Sequence, residues 1–235
     1  MKGAVMTKQH TTAIILAAGS GTRMKSDVTK QFMLINGTSV LDRSIAAFDS
    51  AETVDEIIVV ARECEIESVL ESCKANKPIR VVAGGKNRAE SARNGFNALS
   101  PATRFVAIHD AARCLILPSE IDLVVSKAYL VGAAFAASHV IDTIKKIDSD
   151  NRIIETVPRD VLVAAQTPQV FDVDIYKRSL VDTPLSLESV TDDNMLVESI
   201  GISPAFVEVS RNNIKITTPD DVEYAEFILK KREEV

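Results

Sequence analysis

Apolar residues fall along this chain in short runs, and between the runs they recur at helical spacing. Ala13 to Leu16, Glu56 to Ala61, Ile79 to Ala83, Phe105 to His109 and Ala133 to Ala137 are mainly apolar runs of four to six residues, Arg80 being a charged position inside the third. Such runs read as strands buried on both faces, because a strand with one wet face alternates apolar and polar residues instead. Val40 to Phe48, Glu63 to Lys74, Arg88 to Leu99 and Glu120 to Tyr129 read as helices. Ser39 is placed to cap the first of these, and Ile66, Val69, Leu70 and Cys73 share one side of the second. Strand alternating with helix predicts an α/β, Rossmann-like fold: a mostly parallel sheet with helices on both faces.

The pattern changes after residue 140. Ile141 to Ile147 and Arg152 to Val157 flank Asp148-Ser-Asp-Asn151, a turn-forming tetrapeptide, and predict a β-hairpin. An isolated two-stranded hairpin is marginal in water, so this protruding arm is expected to pack on another subunit. Val161 to Phe171 returns as a strand interrupted by Pro168. Helices over Val173 to Leu180 and Asp192 to Ser199, a strand over Phe206 to Val209 and a short extended segment at Ile214 to Ile216 follow. Asp220 to Lys231 closes the chain as a helix with Thr218 as its N-cap and Pro219 in its first turn. The expected organisation is a single domain over 1–235, with its core in 10–140 and 162–232 and the arm in 141–161.

Composition narrows the partners. The 235 residues are 46% hydrophobic and 26% charged, as in globular proteins. A formal charge of −6 disfavours general nucleic-acid binding but leaves room for a local basic pocket. Cys64, Cys73 and Cys114 have no metal-ligand spacing and read as reduced thiols. No apolar run reaches the length of a membrane span, and Met1 to His10 lacks the apolar core of a signal peptide, so a cytoplasmic location is expected. The first ten residues are expected to be frayed.

Candidate chemistry sits where strands end. After the first strand come Gly19, Ser20 and Gly21, then Arg23 and Lys30. Glycine lets backbone approach a bulky anion, and the carboxyl end of a parallel strand is where open α/β sheets bind ligands. Met24 stands where a dinucleotide fingerprint needs its third glycine, and it breaks the P-loop spacing as well. Both of those motifs are therefore rejected. Further charge follows other strands at Gly84-Gly85-Lys86-Asn87-Arg88, His109-Asp110-Ala111-Ala112-Arg113 and Asp142-Thr143, with Lys215 near the C-terminus. Asp110 is the best candidate for a hard-metal ligand, since Mg²⁺ beside phosphates is held by one or two carboxylates. His109, at the end of a buried strand, reads as a hydrogen-bonded core residue. No Ser-His-Asp or Cys-His arrangement can be assembled. Asp192-Asp193 and Asp220-Asp221 sit at helix starts and are assigned to capping.

Taken together, these segments resemble the 2-C-methyl-D-erythritol 4-phosphate cytidylyltransferases, over about Thr12 to Leu229. The resemblance rests on Leu16-Ala-Ala-Gly-Ser-Gly-Thr-Arg-Met24, Lys30-Gln31-Phe32, Gly84-Gly85-x-x-Arg88-x-x-Ser91, His109-Asp-Ala-Ala-Arg113, Asp142-Thr143, Gln166-Thr-Pro-Gln-x-Phe171, Val190-Thr-Asp-Asp193 and Asn213-Ile-Lys-Ile-Thr-x-Pro219. It implies a nucleotidyltransferase fold, a homodimer clasped by the arm, Mg²⁺ as cofactor, and CTP and methylerythritol phosphate as substrates. It further implies that Arg23 and Lys30 stabilise the charged transition state. Arg159 and Lys215 would position the sugar phosphate, Arg159 reaching toward the partner's site. Ala17, Ala18, Gly19, Gly85 and Ser91 would hold CTP, and Asp110, Arg113, Thr143, Thr167 and Thr191 would line the metal and the sugar phosphate.

Two positions depart from the family pattern. Cys114 follows Arg113 where proline is expected, and Val28-Thr29 precedes Lys30 where a proline often stands, which predicts a more mobile loop before CTP binds. The related ribitol-5-phosphate cytidylyltransferases share the glycine loop and the cations, but Ala111-Ala112 and Val190-Thr-Asp-Asp193 fit the methylerythritol enzymes better. A sugar-1-phosphate nucleotidyltransferase does not suit the His109 to Arg113 and Thr167 to Gln169 segments. A catalytically silent nucleotide-binding protein has no need to keep Arg23, Lys30, Arg159 and Lys215 together.

Overall fold

A computed structural model describes residues 7–19 and 29–234. Arg23, and with it most of the glycine loop, lies outside the described residues. The first strand, β1 (Thr11–Leu16), lies at the heart of a seven-stranded sheet. A two-stranded hairpin, β2 (Leu34–Ile35) and β3 (Thr38–Ser39), precedes helix α1 (Val40–Ser50). Next come β4 (Glu56–Ala61), α2 (Ile66–Ser72), β5 (Ile79–Ala83), α3 (Arg88–Asn97), β6 (Phe105–Asp110), α4 (Pro118–Val131) and β7 (Ala133–His139). The arm is β8 (Ile144–Ile147) and β9 (Ile153–Val157). The chain ends with β10 (Val163–Asp172), α5 (Val173–Asp182), α6 (Asp193–Ser199), β11 (Ala205–Glu208) and α7 (Pro219–Glu233).

The sheet order is β11-β7-β10-β6-β1-β4-β5. All neighbours run parallel except β10, which is antiparallel to both β6 and β7. The period of two along each strand divides the core between the two faces. Ala13, Ile15, Ile57, Val59 and Ala107 point to one face and meet Leu41, Ile45 and Phe48 of α1 and Ile121, Val124 and Val125 of α4. Ile14, Ile58, Val60, Val106 and Ile108 point to the other and meet Ala92 of α3, Tyr176 of α5 and Leu196 of α6. Both faces are covered, which is why these strands are continuously apolar. A third cluster joins Ile35 and Val40 to Leu115, Ile216 and Ala225 beneath α7.

The predicted elements are present with ends shifted by a few residues, and three differences matter. The helix expected over 63–74 is broken: Glu63–Glu65 form a single 3₁₀ turn and only Ile66–Ser72 are α-helical. The β2–β3 hairpin was not anticipated. Its turn is Asn36-Gly37, both at positive φ (46° and 76°), the arrangement a type I′ turn requires. The extended segment at 214–216 pairs with no strand among the described residues; its backbone is pinned where Ile216 N–H donates to Ala112 O at 2.8 Å. Ser39 caps α1, its hydroxyl accepting from Asp42 N–H at 3.0 Å. Thr218 caps α7, with Asp221 accepting from Thr218 N–H at 2.7 Å. All three cysteines are free thiols, and no helix among the described residues is long and apolar enough to cross a membrane.

Candidate active site

Strands β1, β5 and β6 run parallel, so their carboxyl ends open on one edge of the sheet. A cleft of about 430 Å³ lies there. Ala17, Ala18 and Gly19 enter it from β1, Gly85 to Arg88 and Ser91 from β5 and α3, Asp110 to Ala112 from β6, and Lys30, Gln31, Lys215 and Thr217 close it. Gln31, Lys86, Asn87, Arg88 and Thr217 stood in segments singled out from the sequence, but none had been assigned to the cleft wall.

The wall between Ala18 and α3 is shaped by missing side chains. A Cβ on Gly84 would stand 2.4 Å from Ala18 Cβ and 3.0 Å from Ser91 Oγ; one on Gly85 would stand 2.3 Å from Glu90 Cβ. Neither position has room for a methyl group. Gly85 N–H donates to Ser91 Oγ at 3.0 Å, and Ser91 Oγ donates to Asn87 O at 2.8 Å. Asn87 caps α3, its Oδ1 accepting from Glu90 N–H at 2.8 Å. If this cleft takes a nucleotide, as the resemblance implies, Gly84→Ala is expected to weaken its binding more than folding, because the clash lies against the cleft wall. A calorimetric titration with CTP checks this, and an unchanged affinity contradicts it.

Charge in the cleft centres on Asp110. Its Oδ1 accepts from Arg88 Nε at 2.9 Å and its Oδ2 from Lys215 Nζ at 2.6 Å. Burial pushes the carboxyl up, but Arg88 and Lys215 outweigh it and hold Asp110 well below the usual carboxylate range. Arg88 reaches further inward: its Nη1 donates to Asp193 Oδ2 at 2.7 Å, and Asp193 Oδ1 accepts from Tyr176 OH at 2.6 Å. Burial opposes the charge on Arg88, yet Asp193 and Asp110 raise its pKa and keep it charged. The assignment of Asp192-Asp193 to capping therefore holds for one member. Asp192 caps α6 through Met195 N–H at 3.1 Å, whereas the carboxylate of Asp193 is fully buried and serves Arg88 and Tyr176.

Lys215 is held on its loop by the neighbouring Asn213. Asn213 Nδ2 donates to Gln166 Oε1 at 2.8 Å and to Thr167 O at 3.0 Å, and Arg113 Nη1 donates to Asn213 O at 2.9 Å. Thr167 is buried and accepts Asp110 N–H at 3.1 Å. Cys114 does not disturb this arrangement; its side chain is buried in the cluster beneath α7. Thr143, Arg159 and Thr191 do not line the cleft within this chain. Thr143 is exposed at the base of the arm, Arg159 donates to Ile141 O at 2.7 Å, and Thr191 donates to Met195 Sδ at 3.0 Å.

His109 is a core residue. Its Nδ1 lies 3.0 Å from Thr167 Oγ1 and its ring packs on Phe48 at a centroid distance of 4.8 Å. Burial depresses its pKa to about 3, so it stays neutral. The unfolded chain binds this proton below pH 6.5 and the folded chain does not. Stability is thus fully present above pH 6.5 and falls, by about 1.4 kcal/mol per pH unit for this group, as pH drops toward 3. Urea midpoints measured at pH 7 and pH 5 are expected to show this loss in the wild type and less of it in His109→Gln.

Residues 11–231 match the family model of 2-C-methyl-D-erythritol 4-phosphate cytidylyltransferase. The chain belongs to that family. A member from Caldanaerobacter subterraneus subsp. tengcongensis is 41% identical over 230 residues, spanning 94% of this chain and 100% of its own. One from Halalkalibacterium halodurans is 38% identical, spanning 94% and 97%. The crystal structure of the 4-diphosphocytidyl-2C-methyl-D-erythritol synthase of Anaerococcus prevotii superposes with a TM-score of 0.81 at 30% identity, over 95% of this chain and 97% of that one. Of the eight segments on which the resemblance rests, the first, second, third, fourth and last meet at the cleft.

Proposed function

We propose that this chain joins 2-C-methyl-D-erythritol 4-phosphate to CTP, releasing pyrophosphate. The observation that carries the reading is the convergence of Lys30, Arg88 and Lys215 with Asp110 on a glycine-walled cleft, in a chain of this family. A phosphate oxygen of the sugar phosphate attacks the α-phosphorus of CTP. The new O–P bond forms as the bond from that phosphorus to the β-phosphate oxygen breaks, and pyrophosphate leaves with the electron pair. The nucleophile is already anionic, since a phosphate monoester's second pKa is about 6. A general base is not required, which agrees with the neutral, buried state of His109.

The barrier comes from bringing two polyanions together. Two unit charges 4 Å apart interact by ~4 kcal/mol at an effective dielectric near 20. Lys30 enters the cleft from the segment after β1 and Lys215 from the Asn213 loop, where both would meet the triphosphate; Arg23, which lies outside the described residues, would join them as the resemblance implies. Preorganised donors of this kind stabilise developing oxyanions without reorganising during the reaction. Among the described residues, Asp110 is the one carboxylate on the cleft wall, and no three acidic, His or Cys side chains form a metal cluster. A single carboxylate with phosphate oxygens and water suits Mg²⁺ and no all-protein cage. Asp110 would hold the ion, exchanging part of its pairing with Arg88 and Lys215 for it. When bound, Mg²⁺ supplies charge neutralisation on the phosphates.

The arm supports a homodimer. Ile147, Ile153 and Ile154 are more than half exposed on a hairpin that pairs with no other strand among the described residues. Arg159 at its root would then meet the sugar phosphate in the partner's cleft. Arg159→Ala is expected to raise KM for methylerythritol phosphate and leave KM for CTP near its starting value; unchanged kinetics for the sugar phosphate count against this role. The function itself is tested by pyrophosphate release over four nucleoside triphosphates, with methylerythritol phosphate and ribitol 5-phosphate as acceptors. CTP with methylerythritol phosphate is the expected pair, and preference for any other pair overturns the reading.

A further inference from the structure

Lys30 sits between two residues that are tied to one carboxylate from a distant part of the chain. Thr29 Oγ1 donates to Glu65 Oε1 at 3.0 Å, and Gln31 Nε2 donates to Glu65 Oε2 at 3.1 Å. Arg62 forms an ion pair with the same carboxylate. Gln31 and Glu65 are both buried. Glu65 belongs to none of the segments on which the family resemblance rests, and it lies in the turn that interrupts the expected helix after β4. Burial disfavours its charge, but hydrogen bonds from Arg62, Thr29 and Gln31 lower its pKa on balance.

The position of Thr29 gives the cluster a purpose. Its backbone has φ −65° and ψ 139°. Proline locks φ near −65°, so Thr29 adopts, with a free side chain, the conformation that a proline would impose. A threonine at this site has no ring to hold that conformation. Its hydroxyl is instead anchored to Glu65 on one side of Lys30, and Gln31 is anchored on the other. The turn that follows is closed by Phe32 N–H donating to Thr29 O at 2.9 Å and Met33 N–H donating to Lys30 O at 3.2 Å.

We infer that Glu65, braced by Arg62, is a positioning residue for the cleft lysine: it grips Thr29 and Gln31 so that Lys30 enters the cleft at a fixed angle. The expected loop mobility ahead of Lys30 is thus countered, at least at Thr29, by a side-chain clasp in place of a proline ring. The inference rests on Lys30 acting on the triphosphate as argued above. Positioning effects of this kind cost rate more than binding, because a catalytic group displaced by about 1 Å loses up to about 10²-fold.

The test combines kinetics with amide exchange on the full-length enzyme. Glu65→Gln and Thr29→Val are each expected to lower kcat about tenfold while KM for CTP and for the sugar phosphate changes little. Thr29→Pro, which fixes φ without a hydroxyl, is expected to retain most of the wild-type kcat. In a Lys30→Ala background neither Glu65→Gln nor Thr29→Val is expected to cause further loss, since residues acting as one unit are not additive. Amide exchange at Phe32 and Met33 is expected to quicken in Glu65→Gln. Wild-type kcat in both Glu65→Gln and Thr29→Val, or the same fold-loss with Lys30 present and absent, overturns the inference. So does a Thr29→Pro enzyme as slow as Thr29→Val. If the wild-type enzyme itself makes no pyrophosphate, the functional reading fails, and amide exchange then decides the clasp by itself: unchanged exchange in Glu65→Gln overturns it.

Discussion

Replacing Lys30 with alanine is expected to lower kcat by roughly 10²-fold or more, with saturating CTP, sugar phosphate and Mg²⁺. The size follows from what Lys30 does in the cleft. It lines the same cavity as Ala17, Gly85 and Asp110, so on the proposed function its ammonium would approach triphosphate oxygens entering over the glycine wall. An interaction made mainly in the transition state lowers kcat and kcat/KM together, whereas one made equally in the ground state raises KM alone. Lys30→Arg is the informative control. Arginine keeps the charge but substitutes a planar fork for a point charge, so it is expected to recover part of the rate only. Arg23→Ala is expected to show a comparable loss through its place on the same loop. Near-normal turnover in both alanine variants would remove the two cations from the mechanism. Pre-steady-state measurement of pyrophosphate release separates chemistry from product release and shows which step has slowed.

How far such a site can be read from sequence depends on whether its parts are local. The central strands were legible because burial on both faces makes them continuously apolar, and Glu56–Ala61 agrees with the structure to the residue; the edge strand Ile79–Ala83 agrees as well, although Arg80 and Ala83 are exposed. Helix caps were legible because they depend on residues three or four positions apart, as Ser39 with Asp42 and Thr218 with Asp221 show. The Asn36-Gly37 hairpin carried a local signal, but its strands are two residues each and leave no alternation to detect. What local pattern does not carry is pairing across the chain. Glu65 was one more polar residue in an expected helix, and its partners at Thr29 and Gln31 lie more than thirty residues away. Asp110 was recognised as a cleft carboxylate, but not that Arg88 and Lys215 would occupy both its oxygens, the latter from 105 positions away.

Asp193 is the clearest case, and it carries the largest expected effect on stability. As an acidic residue in the first turn of α6 it would contribute about 0.3–1 kcal/mol through the helix dipole. The structure gives it a different task. Its carboxylate is fully buried, accepts Arg88 Nη1 at 2.7 Å and Tyr176 OH at 2.6 Å, and is the inner anchor of a chain of charges that runs out through Arg88 and Asp110 to Lys215. Breaking a buried ion pair by removing one partner costs about 3–5 kcal/mol, because the other charge is left without compensation. Asp193→Ala is therefore expected to lower Tm by about 10 °C, given about 2–4 °C per kcal/mol for a chain of this length. Tyr176→Phe removes only a hydroxyl from the same carboxylate and is expected to cost less. Urea and thermal denaturation distinguish the two roles directly, since a loss below 1 kcal/mol in Asp193→Ala fits a first-turn acid and contradicts a charge anchor. The expectation extends to the cleft: with Asp193 gone, Arg88 keeps its Asp110 partner, and the cleft wall loses the anchor that fixes it to α6.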